Sequence, residues 1–255
     1  MLTAEQQERY ARHLILEGVG AEGQEKLLSG SVLVIGAGGL GSPVLLYLVA
    51  AGVGRVGVVD GDCVELSNLQ RQIIHRTDAI GMPKVESASS ALTALNPDVS
   101  LITRHLRVTA GNIMELIRDY DFIVDATDNF ESKFLINDAC VLAGKSYSHG
   151  GILRFKGQTT TIRPGETACY RCIFPDEPED DVALACSKAG VLGVLPGIIG
   201  TIQATEAIKF ILGEGRLLTG RLLTYNSHDL KFREVALRRN PRCPLCGETP
   251  TITGL

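Results

Sequence analysis

The sequence predicts an α/β protein with a Rossmann-like doubly wound sheet, parallel in its N-terminal half and mainly antiparallel in its C-terminal half, where paired cysteines form a hook. Three observations predict it. An apolar, β-branched run from Val32 to Ile35 enters Gly36, Gly38 and Gly41 and then the apolar stretch Leu40 to Ala51. That is the pattern of a strand, a glycine turn and a helix whose N-terminal amides face an anion. Strand and helix patterns then alternate to about residue 145, as parallel strands require of their crossover connections. Beyond Ser146 the sequence turns strand-rich and carries two C-x-x-C pairs.

In chain order, Glu5 to Leu16 is amphipathic and reads as a surface helix packed on the core. Arg55 to Asp60 is the second strand. The helix Pro83 to Leu95 follows a turn marked by Gly81 and Pro83. Val99 to Thr103 and Asp121 to Asp125 are further parallel strands, with helices at Asn112 to Ile117 and Phe130 to Ala143. Gly150 to Phe155, Gln158 to Ile162, Arg216 to Tyr225 and Lys231 to Leu237 read as antiparallel hairpins around a helix from Leu195 to Leu212. The chain is expected to form one domain over 1–255. Helices occupy 1–30, a nucleotide-binding region 31–145, and a strand-rich, cysteine-bearing region 146–255.

Composition narrows the classes. With 255 residues, 45% of them hydrophobic, the chain can bury a large core. A net charge of −4 gives no polyelectrolyte footprint and argues against nucleic acid as a partner. The N-terminus carries Glu5, Glu8 and Arg9 in place of a basic and then apolar leader. The most apolar stretch, Val191 to Leu212, is interrupted by Gln203, Glu206 and Lys209, which favours a buried helix over a membrane span. A cytoplasmic protein with no membrane partner is expected.

A glycine loop alone most often serves a nicotinamide or flavin dinucleotide. Asp60, nineteen residues after Gly41, is placed to accept hydrogen bonds from ribose hydroxyls. An NAD-dependent oxidoreductase uses those two features and leaves Asn68, Arg71 and Lys84, within the same βα unit, without a role. Fixed cations beside a phosphate cradle suit a triphosphate and a departing pyrophosphate. Nucleotidyl transfer from ATP is therefore the favoured reading. Asp128 lies past the strand that ends at Asp125, where a carboxylate ligates Mg2+ together with phosphate oxygens. Asn129 then caps the next helix, or Asp128 does; Asp125 is the other candidate ligand.

Cys169, Cys172, Cys243 and Cys246 form two C-x-x-C pairs with seventy residues between them. Four thiolates make a closed structural Zn2+ site; two disulfides or a thioredoxin-like pair are the alternatives. Cys63 and Cys140 read as small buried hydrophobes. Cys186 follows an acidic, proline-bearing stretch and precedes Lys188, whose ammonium favours a thiolate; the alternative is an exposed thiol without a role.

Taken together, Gly36 to Gly41, Asp60, Ser67-Asn-Leu-Gln-Arg71, Gly81-x-Pro-Lys84 and Asp125-Ala-Thr-Asp-Asn129 resemble the MoeB/ThiF family, bacterial relatives of ubiquitin-activating enzymes. The resemblance runs from Arg9-Tyr-x-Arg-His-x-Ile15 to Asn240-Pro-x-Cys243-Pro-x-Cys246. It implies a homodimer that uses ATP and Mg2+ to adenylylate the C-terminal glycine of a small ubiquitin-like sulfur-carrier protein ending in Gly-Gly. Molybdopterin, thiamine or another thio-cofactor would receive the sulfur. It also implies that Gly39 and its loop hold the nucleotide, that Arg12 reaches the ATP of the neighbouring subunit, and that zinc sits on the four cysteines. Cys186 falls where a family cysteine, in the thiamine branch, links covalently to the carrier. Without a rhodanese-like domain in this chain, sulfur is expected from a separate donor, a cysteine desulfurase or a rhodanese. A relative that activates a carboxyl on modified tRNA and a non-catalytic zinc-bearing scaffold are the other readings.

Overall fold

The computed structural model describes residues 1–177 and 189–255. The strands β1 (Ser31–Ile35), β2 (Arg55–Val59), β3 (Ser100–Arg104), β4 (Phe122–Asp125) and β5 (Tyr147–Leu153) are laid side by side in parallel. From β5 the chain doubles back through β6 (Lys156–Ile162), β7 (Arg221–Asn226) and β8 (Lys231–Ala236), each antiparallel to its neighbour. Among the described residues these strands make one sheet of order β3-β2-β1-β4-β5-β6-β7-β8.

The apolar run of β1 is explained by burial on both faces. Val32 and Val34 pack on one side and Leu33 and Ile35 on the other, because successive side chains point opposite ways. The first face is covered by α4 (Gly41–Ala50), α5 (Lys84–Leu95) and α9 (Val194–Leu212). The second is covered by α6 (Ile113–Arg118), α7 (Phe130–Leu142) and the single turn α8 (Tyr170–Ile173). By length and composition α9 is apolar enough to cross a membrane, yet Leu195, Ile199, Gln203 and Glu206 are buried where it packs on α4, β5 and β6.

Glu206 shows how this core helix tolerates a charge. Its carboxylate accepts hydrogen bonds from Thr161 Oγ1 and from the Leu218 backbone amide, each at 2.6 Å, and pairs with Lys209. A buried carboxylate is stable only with such partners.

The structure departs from the sequence expectation in three places. β5 begins at Tyr147 instead of Gly150, and Tyr147, Ser148 and His149 pair in parallel with Ile123, Val124 and Asp125. The switch from parallel to antiparallel therefore falls on β5 itself. Polar Ser148 and His149, both buried, hide the strand from a reading based on apolar runs. β7 starts at Arg221 and not at Arg216, because Glu206 captures the Leu218 amide and Gly220 turns the chain with a φ of 68°. Glu5 to Leu16 forms two short helices, α1 (Ala4–Arg9) and α2 (Ala11–Leu14), broken at Tyr10. Tyr10 is buried, and its hydroxyl accepts from Asn96 Nδ2 at 2.8 Å. A third N-terminal helix, α3 (Gly20–Ser29), docks Leu27 in the core ahead of β1.

Removing the Glu206 acceptor leaves a buried amide and a hydroxyl unpaired. Glu206→Ala is expected to lower the unfolding free energy by about 3 kcal/mol, the sum of two orphaned groups. Glu206→Gln, which keeps an acceptor, should lose less than half of that in urea titrations.

Candidate functional site

The chain leaves β1 at Gly36 with a φ of 104°, where a Cβ would stand 2.6 Å from the Ala126 carbonyl oxygen; at Gly41 a Cβ would overlap the Gly36 carbonyl oxygen. Only glycine lets the loop lie this close to the end of β4 and to itself. The Ala37 amide donates to Asp60 Oδ2 at 2.8 Å, while Asp60 Oδ1 accepts from the Asp62 amide at 2.9 Å. Asp60 thus anchors the glycine loop to the end of β2. The Ser42 amide donates to the Gly38 carbonyl and starts α4. Among the described residues the Gly38 and Gly39 amides donate to no protein acceptor, which leaves them for an anion at the helix N-terminus.

His75 and Gln72, which the sequence did not single out, brace this loop from beneath. Both are buried. His75 Nε2 donates to the Ala37 carbonyl and Nδ1 accepts from Ser87 Oγ, both at 2.9 Å. Burial lowers the His75 pKa, offset in part by the Ala37 hydrogen bond. The Gln72 amide lies beside Gly38, with Oε1 buried and without a partner.

The expected cations gather on the same side. The Arg71 side chain runs beside Gly39, and its Nη1 donates to the Ser67 carbonyl at 3.1 Å. Lys84 is the first residue of α5, buried, with Nζ 3.2 Å from Asp62 Oδ2. Asp62 meets Arg107 through its other oxygen at 3.3 Å. Partial burial pushes the Asp62 carboxyl up, but Lys84 and Arg107 outweigh it and the net shift is downward. Asn68 is buried, and Oδ1 accepts from the Glu65 amide at 3.2 Å, closing the short 3-10 turn Leu66–Asn68. Arg12 is exposed on α2, with no acidic partner among the described residues.

At the end of β4 the candidates separate. Asp125 is fully buried: Oδ2 accepts from His149 Nδ1 at 2.9 Å, Oδ1 from Thr127 Oγ1 at 2.6 Å, and both face Lys133 Nζ at 3.2 and 3.3 Å. Burial pushes its pKa up, but Lys133 and the His149 hydrogen bond outweigh it and hold the carboxyl well below its usual range. Both oxygens of Asp125, the other candidate ligand, are thus engaged by protein donors. Asn129 caps α7 by accepting from the Ser132 amide at 2.8 Å. Asp128 is exposed and borders a cavity of about 710 Å³. That cavity runs from Asp128, Lys133 and His149, past Tyr170 and Phe174, out over β6, β7 and β8. His149 donates through Nδ1 to an ionised carboxylate, and burial lowers its pKa, so Nε2 carries a lone pair; it is buried at the cavity floor without a partner.

The four paired cysteines converge. Their sulfurs lie within 4.8 Å of one another, with Cys169 to Cys243 at 3.6 Å and Cys172 to Cys246 at 3.3 Å. None is disulfide-bonded. The Cys169 thiol and the Asn240 amide favour a thiolate at Cys172 and push its pKa down, whereas Cys169 is pushed up by that same hydrogen bond to Cys172 and by burial. A soft, sulfur-only donor set of this size suits one metal ion and leaves no open position. Cys140 is buried as expected, Cys63 is exposed against expectation, and Cys186 with Lys188 lies outside the described residues.

A doubly wound sheet with a glycine loop at its switch point, cations beside the loop and an antiparallel extension defines a nucleotide-binding α/β protein. More narrowly, the ThiF family matches residues 10–245, and the chain belongs to that family. A SAMP-activating enzyme E1 of Haloferax volcanii is 51% identical over 247 residues, spanning 97% of this chain and 91% of its own. A sulfur carrier protein adenylyltransferase of Thermus thermophilus is 50% identical over 254 residues, spanning 98% and 94%. The solved structure of E. coli MccB with ATP has a TM-score of 0.82 at 26% identity, spanning 94% of this chain and 74% of that one.

His75 and His149 both start from an ordinary value of 6.5 and are lowered by burial. The unfolded chain therefore takes up protons that the folded state refuses. Their contribution to stability is complete above about pH 6.5 and is lost as pH falls through the lower folded values. The thermal midpoint should stay level near neutral pH, fall on acidification below about 6.5, and fall less steeply in His75→Asn. A midpoint unchanged on acidification would show that these imidazoles take up protons freely.

Proposed function

We propose that this protein adenylylates the C-terminal glycine of a small ubiquitin-like sulfur-carrier protein with ATP. The carrying observation is that the neighbouring strands β1 and β4 lead at the same sheet end into the glycine loop, where among the described residues the Gly38 and Gly39 amides have no protein acceptor, and into exposed Asp128, which borders a cavity that leads outward across the antiparallel half. The names of the Thermus thermophilus and Haloferax volcanii relatives support the same reading.

In the reaction, a terminal carboxylate oxygen of the carrier attacks the α-phosphorus of ATP. A carboxyl–phosphate bond forms, the bond to the β-phosphate oxygen breaks, and pyrophosphate leaves with its electron pair. The nucleophile is already ionised and needs no general base, so catalysis is positioning and charge balance. The Gly36 to Gly41 loop would hold the phosphates and Asp60 the ribose, through lone pairs left over from its loop contacts. Arg71 and Lys84 balance charge on the departing pyrophosphate. Asn68 would contact the phosphate or the metal and Asn129 the nucleotide, through the amide groups not used in capping. Mg2+, where bound, would be held by Asp128 and would neutralise phosphate charge. Zn2+ fits Cys169, Cys172, Cys243 and Cys246, tying the C-terminal hook to α8.

The reading extends to a cytoplasmic homodimer in which Arg12 serves the partner's nucleotide; exposed Ile15 and Leu16 beside α2 support a covered surface there. It also extends to a separate sulfur donor, and to Cys186 as the thiol that, after adenylation, takes the activated acyl group as a thioester with release of AMP, or takes the outer sulfur of a donor persulfide with release of the donor's thiol.

Carrier-dependent exchange of pyrophosphate into ATP tests the reaction. Asp128→Ala should lower exchange by at least about a hundredfold, as for loss of a metal ligand at a transferring phosphoryl group, with an unchanged circular dichroism spectrum. Wild-type exchange in a folded variant would remove Asp128 from the site. Hydride transfer to NAD with no exchange would favour an oxidoreductase instead. The purified protein should carry about one zinc per chain. Cys243→Ser should lose it and expose the C-terminal segment to proteolysis; full zinc content in that variant would remove Cys243 from the metal site.

A further inference from the structure

The sheet face that continues the cavity beyond α7 and α8 has a charge pattern that the adenylation chemistry does not use. Strand register sets two rows across it: Gln158, Thr224 and Arg233, and beside them Lys156, Asn226 and Lys231. All six border the cavity that begins at Asp128. Lys156, Lys231 and Arg233 are exposed, and among the described residues none lies within ion-pair distance of an acid. The acid that shares this wall, Asp229, has its Oδ2 engaged by Asn226 Nδ2 at 2.8 Å. Glu234 follows Arg233 in β8 and therefore points to the opposite face, where it pairs with Arg221 at 2.7 Å. In a chain of net charge −4, three cations sorted onto one wall of one cavity make a local positive field.

We propose that this face recognises an acidic C-terminal tail on the carrier, with side-chain carboxylates set back from the terminal glycine. This rests on the adenylyltransferase reading, because it takes the tail's carboxylate to end near Asp128. Strand spacing fixes the position of the acids. Two spacings of about 4.8 Å separate β4 from β6, and four separate it from β8, so the cations lie about 10 to 19 Å from the strand that ends beside Asp128. An extended peptide advances about 3.4 Å per residue. The matching acids therefore fall about three to six residues before the terminal glycine. Exposed pairs are individually weak, and three together are worth about tenfold in affinity.

Synthetic peptides of about ten residues ending in Gly-Gly, fluorescein-labelled at the N-terminus, test this by anisotropy on the full chain. One carries glutamates at those upstream positions, a second glutamines and a third lysines. The glutamate peptide should bind about tenfold more tightly than the glutamine peptide at low salt, and the difference should shrink as salt rises. In the double variant Lys231→Glu, Arg233→Glu, the lysine peptide should bind best, while ATP affinity and circular dichroism stay unchanged. Equal affinity for all three peptides, a preference that survives the charge reversal, or no binding of any of them would overturn the proposal. Failure of carrier-dependent exchange with the charge preference intact would instead overturn the enzymatic reading and leave this face standing.

Discussion

A carboxylate buried at the end of β4 holds the site together. Asp125 draws Lys133 down from α7, His149 across from β5 and Thr127 back from the following loop, so three separate elements meet on two oxygen atoms. Lys133 also donates to the Thr127 and Gly150 carbonyls at 2.7 and 2.6 Å, which satisfies the backbone where the loop leaves the strand. An ion pair this deep costs desolvation, and breaking it by removing one partner costs more than the pair returns. Its use here is geometric. With Asp125 fixed, the Ala126 carbonyl stands where it excludes any side chain at Gly36, and Asp128 is left pointing away from the core.

The nucleotide half shows the same economy with charge. Asp60 and Asp62 follow each other after β2, yet they do different work: Asp60 clamps the glycine loop through Ala37, and Asp62 holds Lys84 and Arg107 in place. Lys84 is buried against Asp62, so its side chain is held in place by the protein itself. Positions fixed in advance are what electrostatic catalysis requires, since no reorganisation is then needed as charge moves. His75 adds a neutral support below the loop, and burial keeps it neutral.

Much of this was legible in the sequence, for identifiable reasons. The parallel pairing of the N-terminal strands follows from βα alternation, and the glycine loop, Asp60, Arg71, Lys84 and the four cysteines stand at spacings that only a few arrangements satisfy. The structure brings the four sulfurs together, and it separates Asn129, a cap, from Asp128. What was illegible depends on contacts between distant segments. Nothing near His75 marks it as a brace for a loop some forty residues earlier. The partnership of Asp125 with Lys133 and His149 needs α7 and β5 docked on the same strand end. The start of β5 was missed because a strand buried on both faces next to a functional centre carries polar residues where a core pattern predicts apolar ones.

The cysteine hook bears on the site through α8. Cys169 and Cys172 flank Tyr170, whose amide donates to Asn137 Oδ1 at 2.8 Å and whose ring lies 4.7 Å from that of His149. Arg171 grips Asp138 of α7 through Nε and Nη2 at 2.8 and 2.7 Å. The turn that supplies half the sulfurs is thus also one wall of the cavity, facing the imidazole that Asp125 orients. The hydrogen bonds among these sulfurs favour a thiolate at Cys172 and, with burial, push Cys169 and Cys246 toward protonation, a compromise that a divalent ion would resolve by taking the sulfurs as thiolates. The sulfur cluster therefore does more than close the C-terminus: it is built on the same turn that carries Tyr170 and leads into Phe174, both of which line the cavity. Cysteine cluster and cavity wall thus share a single helical turn, so what orders one orders the other.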